Sequence, residues 1–267
     1  MEIITSKDNK KVKEARKLLT KKYRKNSYLI EGFHLLEEAV KAGSEILQVF
    51  VEEEKFDKLP SALRFDLRLQ SLSENGQRNE VEMTEKLSVN MVSREVLKSL
   101  ADSDSPQGII AEVKKYEAEI DFSGSKYLVL ENVQDPGNVG TMIRTADAAG
   151  FSGVILLGNT ADIYSSKVMR SMQGSNFHLP VIQMESGLLF GQLKKAGLSV
   201  LTTTLSANSV SYQSVKAHRF ALVMGNEGAG VSEEAVNQAD ILVHIDMPGQ
   251  AESLNVAVAA GILMFSL

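Results

Sequence analysis

Three short segments in the C-terminal half contain the side chains best suited to chemistry. In order they are Glu131-Asn-Val-Gln-Asp-Pro-Gly-Asn-Val-Gly-Thr-Met-Ile-Arg144, Met224-Gly-Asn-Glu-Gly-Ala-Gly-Val-Ser232 and Ile245-Asp-Met-Pro-Gly-Gln-Ala-Glu-Ser-Leu-Asn-Val256. Each follows an apolar run typical of a strand, and the first and third lead into helix-like patterns. Loops at the ends of strands form ligand crevices in α/β proteins. We therefore expect these three segments to line one binding site.

The spacing of the glycines argues against the common nucleotide-binding loops. A dinucleotide fold requires Gly-x-Gly-x-x-Gly directly after a strand, and neither 137–140 nor 225–230 has that spacing. The sequence also lacks a P-loop and the Gly-x-Ser-x-Gly of a nucleophile elbow. There is no cysteine, and the four histidines are scattered, so we expect no metal site.

Length and composition favour a soluble, cytoplasmic protein. The chain has 267 residues, of which 43% are hydrophobic and 24% charged, enough for one large or two ordinary domains. Its longest uncharged apolar stretch, 253–267, is shorter than the roughly 20 residues of a membrane span. The first twenty residues are polar and basic, unlike a secretory signal.

The N-terminal segment is basic, although the net charge of the whole chain is −5. Residues 1–27 contain ten Lys or Arg side chains and three carboxylates, a charge of +7 that leaves −12 for the remainder. Such a patch is a plausible footprint for nucleic-acid phosphates, although a solvated basic helix has the same composition. The candidate RNA-binding residues are Lys10, Lys11, Lys13, Lys17, Lys21 and Lys22.

Alternating strand and helix patterns predict two α/β domains. The first takes up residues 1–105 and opens with an amphipathic helix over 10–22, and the linker is assigned to residues 106–121. The second, residues 122–267, repeats the alternation to its end, which predicts a mostly parallel sheet covered on both faces. Its final helix, predicted over 253–265, is almost wholly apolar, so we expect it to be buried on most sides.

The three segments resemble the three motifs of the SpoU/TrmH branch of the SPOUT RNA methyltransferases. The match covers residues 122–267, and its first and third motifs are highly specific at this length and in this order. Residues 1–105 also resemble the family's N-terminal RNA-binding module, related to a ribosomal-protein α/β sandwich, at Tyr28-Leu-Ile-Glu-Gly-Phe-His-Leu-Leu36. The resemblance thus implies one domain for RNA binding and one for methyl transfer.

The resemblance implies features that the hydrophobic pattern alone does not show. Family members thread the C-terminal segment through a loop to form a deep trefoil knot, an exception to the usual absence of knots. The knot loops bind S-adenosylmethionine in a bent form, and two such domains pair as a homodimer that handles RNA. No metal or redox cofactor is implied. The small residues of the final helix permit the close packing of such a dimer, and a core helix within a monomer has the same pattern.

The resemblance also assigns roles to single residues. Glycine lets the main chain approach the cofactor closely, and apolar side chains form a slot for adenine. The positions that match cofactor contacts are Met224, Gly225, Ile245, Met247 and Leu254. The positions that match the catalytic centre are Asn138, Arg144, Glu227, Ser253 and Asn255. Met172 and Ala257 stand where many relatives have serine, which concerns the fit of the substrate.

The implied reaction transfers the sulfonium methyl group to a ribose 2′-hydroxyl. It requires an aligned attack geometry and loss of the hydroxyl proton, a role that the family gives to the first-motif arginine, here Arg144. A guanidinium normally keeps its proton, so Arg144 could instead stabilise a developing alkoxide or clamp a phosphate. The structural alternatives are an ion pair with Asp147 for Arg144 and a helix N-cap for Asn138.

Ribosomal RNA is the expected substrate, because tRNA-specific relatives often lack the accessory N-terminal domain. Transfer RNA is the alternative substrate for the same enzyme. A non-catalytic RNA-binding or assembly factor on the same fold is a different class of function. The joint presence of all five catalytic-centre residues argues against that class.

Overall fold

The computed structural model describes residues 2–61, 63 and 87–267. Two compact units make up the chain: unit 1 comprises Met1–Tyr116 and Tyr164–Ser166, and unit 2 comprises Glu117–Ile163 and Lys167–Leu267. Within the described residues, no helix is long and apolar enough to cross a membrane.

Unit 1 contains a four-stranded sheet with the order β1-β4-β2-β3. Strand β4 pairs antiparallel with β1 and β2, while β2 and β3 are parallel. Because β4 falls within the stretch assigned to the linker from sequence, that stretch contributes a central strand to this sheet. The strands are β1 Ser27–Glu31, β2 Ile46–Glu52, β3 Ser88–Val92 and β4 Ile109–Lys114.

Three helices accompany this sheet: α1 Lys10–Lys17, α2 Phe33–Lys41 and α3 Arg94–Leu100. The first was predicted to continue to residue 22 but ends at Lys17. The Arg24 guanidinium takes up the carbonyls of Leu18 and Leu19 at 2.9 Å, and the chain then turns through a short 3-10 helix at Lys21–Tyr23. Helix α1 buries Val12 and Ala15 in the core that it shares with α3.

Unit 2 contains a seven-stranded parallel sheet with the order β7-β6-β5-β10-β8-β11-β9, which confirms the predicted α/β class. Its central strands are continuous apolar runs, as expected for a sheet covered on both faces. The strands are β5 Lys126–Glu131, β6 Gly153–Leu157, β7 Val181–Met184, β8 Ser199–Thr203, β9 Val210–Ser211, β10 Phe220–Met224 and β11 Ile241–His244. The helices are α4 Pro136–Ala148, α5 Ser166–Met172, α6 Ser186–Lys195, α7 Glu233–Asn237 and α8 Val256–Ser266.

The last helix, α8, corrects one expectation. Its Ala260 and Leu263 are buried, but Val258 is 53% exposed and Phe265 66% exposed. The prediction that this helix is buried on most sides is therefore wrong for the single chain. Helix α8 packs one apolar face on the unit 2 core and presents a second apolar face to solvent.

Gly140 lies where helix α4 approaches α5 closely. A Cβ atom at this position would lie 2.5 Å from Ser171 Cβ and 2.7 Å from the Val168 carbonyl oxygen. The substitution Gly140→Ala should lower the free energy of unfolding by about 1–3 kcal/mol, because the two helices must move apart. Urea denaturation of the full chain measures this change.

Gly191 in helix α6 provides the matched control. A Cβ atom there would meet nothing within 4 Å. Gly191→Ala should therefore raise stability by roughly 0.5–1 kcal/mol, since alanine restricts the unfolded chain. Equal effects of the two substitutions would contradict the close approach at Gly140.

Candidate active site

The three segments meet at the carboxyl edge of the unit 2 sheet. Strands β5 and β10 are parallel neighbours, and the first and second segments follow their ends. The chain leaves β5 toward β6 on one side and leaves β10 toward β11 on the other. Neighbouring strands whose connections diverge in this way mark the position where open α/β sheets bind ligands.

A cavity of about 400 Å³ lies between the second and third segments, within the usual size of a small-molecule site. Most of its wall is apolar, and the end of β8 with the loop that follows contributes Thr203, Thr204 and Leu205. Two residues assigned to the catalytic centre, Glu227 and Ser253, also line it. All five residues assigned to the cofactor line it as well: Met224, Gly225, Ile245, Met247 and Leu254.

The second segment folds back on itself directly after β10. Asn226 and Gly230 exchange two backbone hydrogen bonds of 2.9 Å, and the Asn226 side-chain oxygen accepts from the amides of Gly228 and Ala229. A Cβ atom at Gly225 would lie 2.4 Å from the Gly230 carbonyl. No side chain fits at position 225, so glycine is required by the loop itself.

Two hydrogen-bonded contacts tie this loop to the first segment. The buried Glu131 carboxylate accepts from the Ser232 amide and hydroxyl, both at 2.7 Å. Asn226 donates its side-chain amide to the carbonyl of Asn132, which has a left-handed φ of 55°. Sequence reasoning assigned no role to these residues. A carboxylate at the end of an apolar strand is the signal by which Glu131 could have been found.

The Asn138 side chain joins all three segments. Its amide nitrogen donates to Glu227 Oε1 at 2.9 Å, and its oxygen accepts from Asn255 Nδ2 at 3.1 Å. The orientation of the amide is fixed by these partners, because the opposite one would point its oxygen at the carboxylate. The Asn255 oxygen meanwhile caps helix α8 by accepting from Ala257 and Val258. Three residues assigned to the catalytic centre are therefore in direct contact.

Helix α4 begins at Pro136, so Asn138 lies within its first turn. The N-cap is Asp135, whose carboxylate accepts from the Asn138 backbone amide at 2.8 Å. That hydrogen bond, followed by the nearby Lys167 ammonium, holds the Asp135 pKa below its usual value. The stabilisation is therefore present above the unfolded-state pKa and is lost as the pH falls through the lowered folded value.

Arg144 is exposed on α4 and lies apart from the Asn138 contacts. Six residues of helix carry it about 9 Å along the axis and about 120° around it from Asn138. The alternative ion pair with Asp147 is not formed, since Asp147 Oδ2 lies 3.1 Å from His178 Nδ1. Among the described residues, Arg144 makes no ion pair.

His244, the last residue of β11, forms part of the cavity wall and contacts two polar side chains. His244 Nδ1 lies 2.9 Å from the Ser209 hydroxyl, and His244 Nε2 lies 3.3 Å from Asp246 Oδ1. The Ser211 hydroxyl, with a smaller effect from His244, lowers the pKa of the Asp246 carboxyl. In the part of the chain that the structure describes, no three His, Asp or Glu side chains are grouped to hold a metal ion.

The two positions that depart from the family pattern lie in the protein interior. Met172 is fully buried, and Ala257 is 8% exposed. Neither lines the cavity formed by the described residues. Their side chains pack within unit 2.

The six candidate lysines of unit 1 differ in their surroundings. Lys11 donates to Ser88 and Asn90, which fastens α1 to β3, and Lys13 pairs with Asp8 at 2.9 Å. The ammonium group of Lys22 lies over the ring of its neighbour Tyr23. The remaining three are exposed: Lys10, Lys17 and Lys21.

Comparison with known proteins defines the class. Residues 125–265 match the family model for the SpoU rRNA Methylase family, and residues 9–111 match the MRM3-like substrate binding domain. The chain belongs to the SpoU rRNA methylase family. It is an S-adenosylmethionine-dependent RNA ribose 2′-O-methyltransferase with a SPOUT α/β domain.

Relatives similar along the whole chain support this class. The 23S rRNA (guanosine(2553)-2′-O)-methyltransferase RlmP of Bacillus subtilis (strain 168) is 39% identical over 270 residues, covering 100% of this chain and 99% of the relative. The crystal structure of an AdoMet-bound rRNA methyltransferase from Sinorhizobium meliloti has a TM-score of 0.81 at 32% identity, covering 99% and 96%. The AdoMet complex of the SpoU methyltransferase AviRb from Streptomyces viridochromogenes has a TM-score of 0.79 at 25% identity, covering 97% and 96%.

Removing the Glu131 carboxylate should loosen the cavity loop. Glu131→Ala is expected to weaken S-adenosylmethionine binding roughly 10-fold, because hydrogen bonds to a charged group contribute about 1.5–3 kcal/mol. Glu131→Gln retains one acceptor oxygen without the charge and should weaken binding less than the alanine variant does. Isothermal titration calorimetry measures both variants, and unchanged affinity in the alanine variant would rule out this anchoring role.

A carboxylate in the apolar cavity should exclude the cofactor. Leu254→Asp is expected to weaken S-adenosylmethionine binding roughly 10-fold or more, because the new charge would be desolvated without a partner. Leu188 on α6 provides a matched control: it is 56% exposed and does not line the described cavity. The same titration should show parent-like binding for Leu188→Asp, and parent-like binding for Leu254→Asp would place the cofactor elsewhere.

Proposed function

We propose that the protein methylates a ribose 2′-hydroxyl of 23S ribosomal RNA in the cytoplasm. Similarity to a 23S rRNA methyltransferase over the full chain supports this substrate. The observation that carries the proposal is the contact of Asn138 with Glu227 and Asn255, because it brings three segments together next to the cavity. A substrate-binding domain in the N-terminal half supports a large RNA substrate.

We propose that the cavity holds S-adenosylmethionine through the five residues assigned to it. The apolar side chains of Ile245, Met247 and Leu254 suit the adenine ring, and Gly225 lines the same cavity. When bound, the cofactor supplies a sulfonium-activated methyl group. The knotted path of the C-terminal segment stays a prediction from the family.

The residues beside the cavity are proposed to position the ribose. Asn138 is fixed at both ends of its amide, so it holds the Glu227 carboxylate in one orientation. A carboxylate and a hydroxyl at the cavity, Glu227 and Ser253, are suitable partners for ribose hydroxyls. Side chains that are held in one orientation in this way lower the entropic cost of aligning the attacking ribose oxygen.

We propose a homodimer through the exposed apolar face of α8. A second copy would cover Val258 and Phe265, which the single chain leaves open to solvent. Helix α8 packs along α4, where Gly261 would bring a Cβ within 3.8 Å of Thr145. Arg144 precedes Thr145, so a dimer through this face would place its guanidinium near the junction of the two chains.

A methylation assay tests the proposed substrate. The full chain is incubated with S-adenosylmethionine and either 23S rRNA or tRNA from a strain that lacks the gene, and 2′-O-methylated positions are mapped. One new site in 23S rRNA is the expected result. Methylation of tRNA alone would overturn the rRNA substrate, and methylation of neither RNA would overturn the proposed function.

The same assay separates binding from chemistry at Arg144. Arg144→Ala should retain cofactor affinity, while methyl transfer should fall about 100-fold or more because electrostatic help in the transition state is removed. Lys195→Ala removes an exposed cation from α6 in the same unit and should have parent-like activity. Near-normal turnover by Arg144→Ala would transfer the catalytic role to another residue.

A further inference from the structure

The turn after helix α1 is held in one conformation by its own hydrogen bonds. Its backbone amides at Tyr23, Arg24 and Lys25 donate to the carbonyls of Thr20, Lys21 and Tyr23 at 3.1, 3.1 and 2.9 Å. The Arg24 side chain is buried and donates to two carbonyls at the end of α1. One cation of the basic run therefore serves the fold, and the turn is fixed before any ligand arrives.

This turn presents an aromatic ring among exposed lysines. Tyr23 is 45% exposed, although its ring is large and apolar. Lys21, Lys22 and Lys25 surround it in sequence and are all exposed. The Lys22 ammonium lies 4.7 Å from the ring centroid, so a cation and a partly exposed aromatic ring stand together on this turn.

An exposed ring with neighbouring ammonium groups suits an unpaired nucleotide. Nucleobases that are not paired stack on aromatic side chains, and lysines neutralise the adjoining phosphates. A paired helix hides the faces of its bases, so an exposed ring would gain nothing from it. The phosphate contacts alone would explain the lysines but not the solvent-exposed tyrosine.

The other highly exposed tyrosine of unit 1 lacks this setting. Tyr116 is 83% exposed, but Lys114 is paired with Glu45 at 2.7 Å. Acidic residues follow it at Glu117 and Glu119. Lys114 is paired with Glu45, and the adjacent Lys115 ammonium lies over the Tyr164 ring, so Tyr116 serves as a matched control for Tyr23.

We propose that the turn 20–25 binds one unpaired nucleotide of the RNA substrate. The base stacks on Tyr23, and the neighbouring phosphates pair with Lys21, Lys22 and Lys25. This inference rests on the proposed RNA methyltransferase function and adds a nucleobase contact to it. Unit 1 then binds single-stranded RNA through a nucleobase as well as through its phosphates.

Two oligomers of equal charge test the proposal in the full-length protein. One is oligoadenylate of about 12 nucleotides, within the usual site size for single strands, and the other is an abasic RNA of the same length. Tyr23→Ala should weaken binding of oligoadenylate roughly 5- to 100-fold and leave binding of the abasic oligomer unchanged. Tyr23→Phe and Tyr116→Ala should bind both oligomers as the parent does. Fluorescence anisotropy with labelled oligomers measures all affinities.

The salt dependence separates stacking from charge. Each lysine of the turn replaced by alanine should reduce the slope of log affinity against log salt by about 0.7, whereas Tyr23→Ala should leave the slope unchanged. Equal weakening of both oligomers by Tyr23→Ala, or no weakening of either, would overturn the stacking site while leaving the methylation result in place. A parent protein that neither binds RNA nor methylates it would instead overturn the proposed function.

Discussion

The buried carboxylate of Glu131 is the contact on which the geometry of the active site depends. A charged group that is 4% exposed is costly unless its oxygens are hydrogen-bonded, and among the described residues the amide and hydroxyl of Ser232 donate to it. Satisfying that carboxylate fixes the end of the second segment against the end of β5. The cavity wall, the position of Glu227 and its contact with Asn138 all follow from that placement.

The sequence was sufficient for the class of fold and for grouping the candidate residues. Apolar strands alternating with helices predicted the parallel sheet, and motifs at the strand ends predicted that residues such as Gly225 and Leu254 share a cavity. These patterns work because strand direction fixes which loops meet. Their roles in binding and catalysis are proposed from the family motifs.

Features set by specific side-chain contacts were not predictable in the same way. Arg24 donates to the carbonyls of Leu18 and Leu19 just beyond the end of α1, whereas composition alone shows Arg24 as one more cation in a basic run. In the sequence Lys11 is also one more cation of this basic run, yet in the structure its ammonium group donates to Ser88 and Asn90 and so holds α1 against β3. The exposed face of α8 was missed because an apolar helix in a sequence does not reveal whether its own chain covers it.

The side chain of Asn255 links two events that are usually considered separately. Its oxygen caps helix α8, and its nitrogen holds Asn138. If a partner of α8 and a bound cofactor both favour this arrangement of Asn255, each strengthens the binding of the other by the same free energy. For a homodimer through α8, cofactor affinity would depend on protein concentration, and dilution would release the cofactor together with the second subunit.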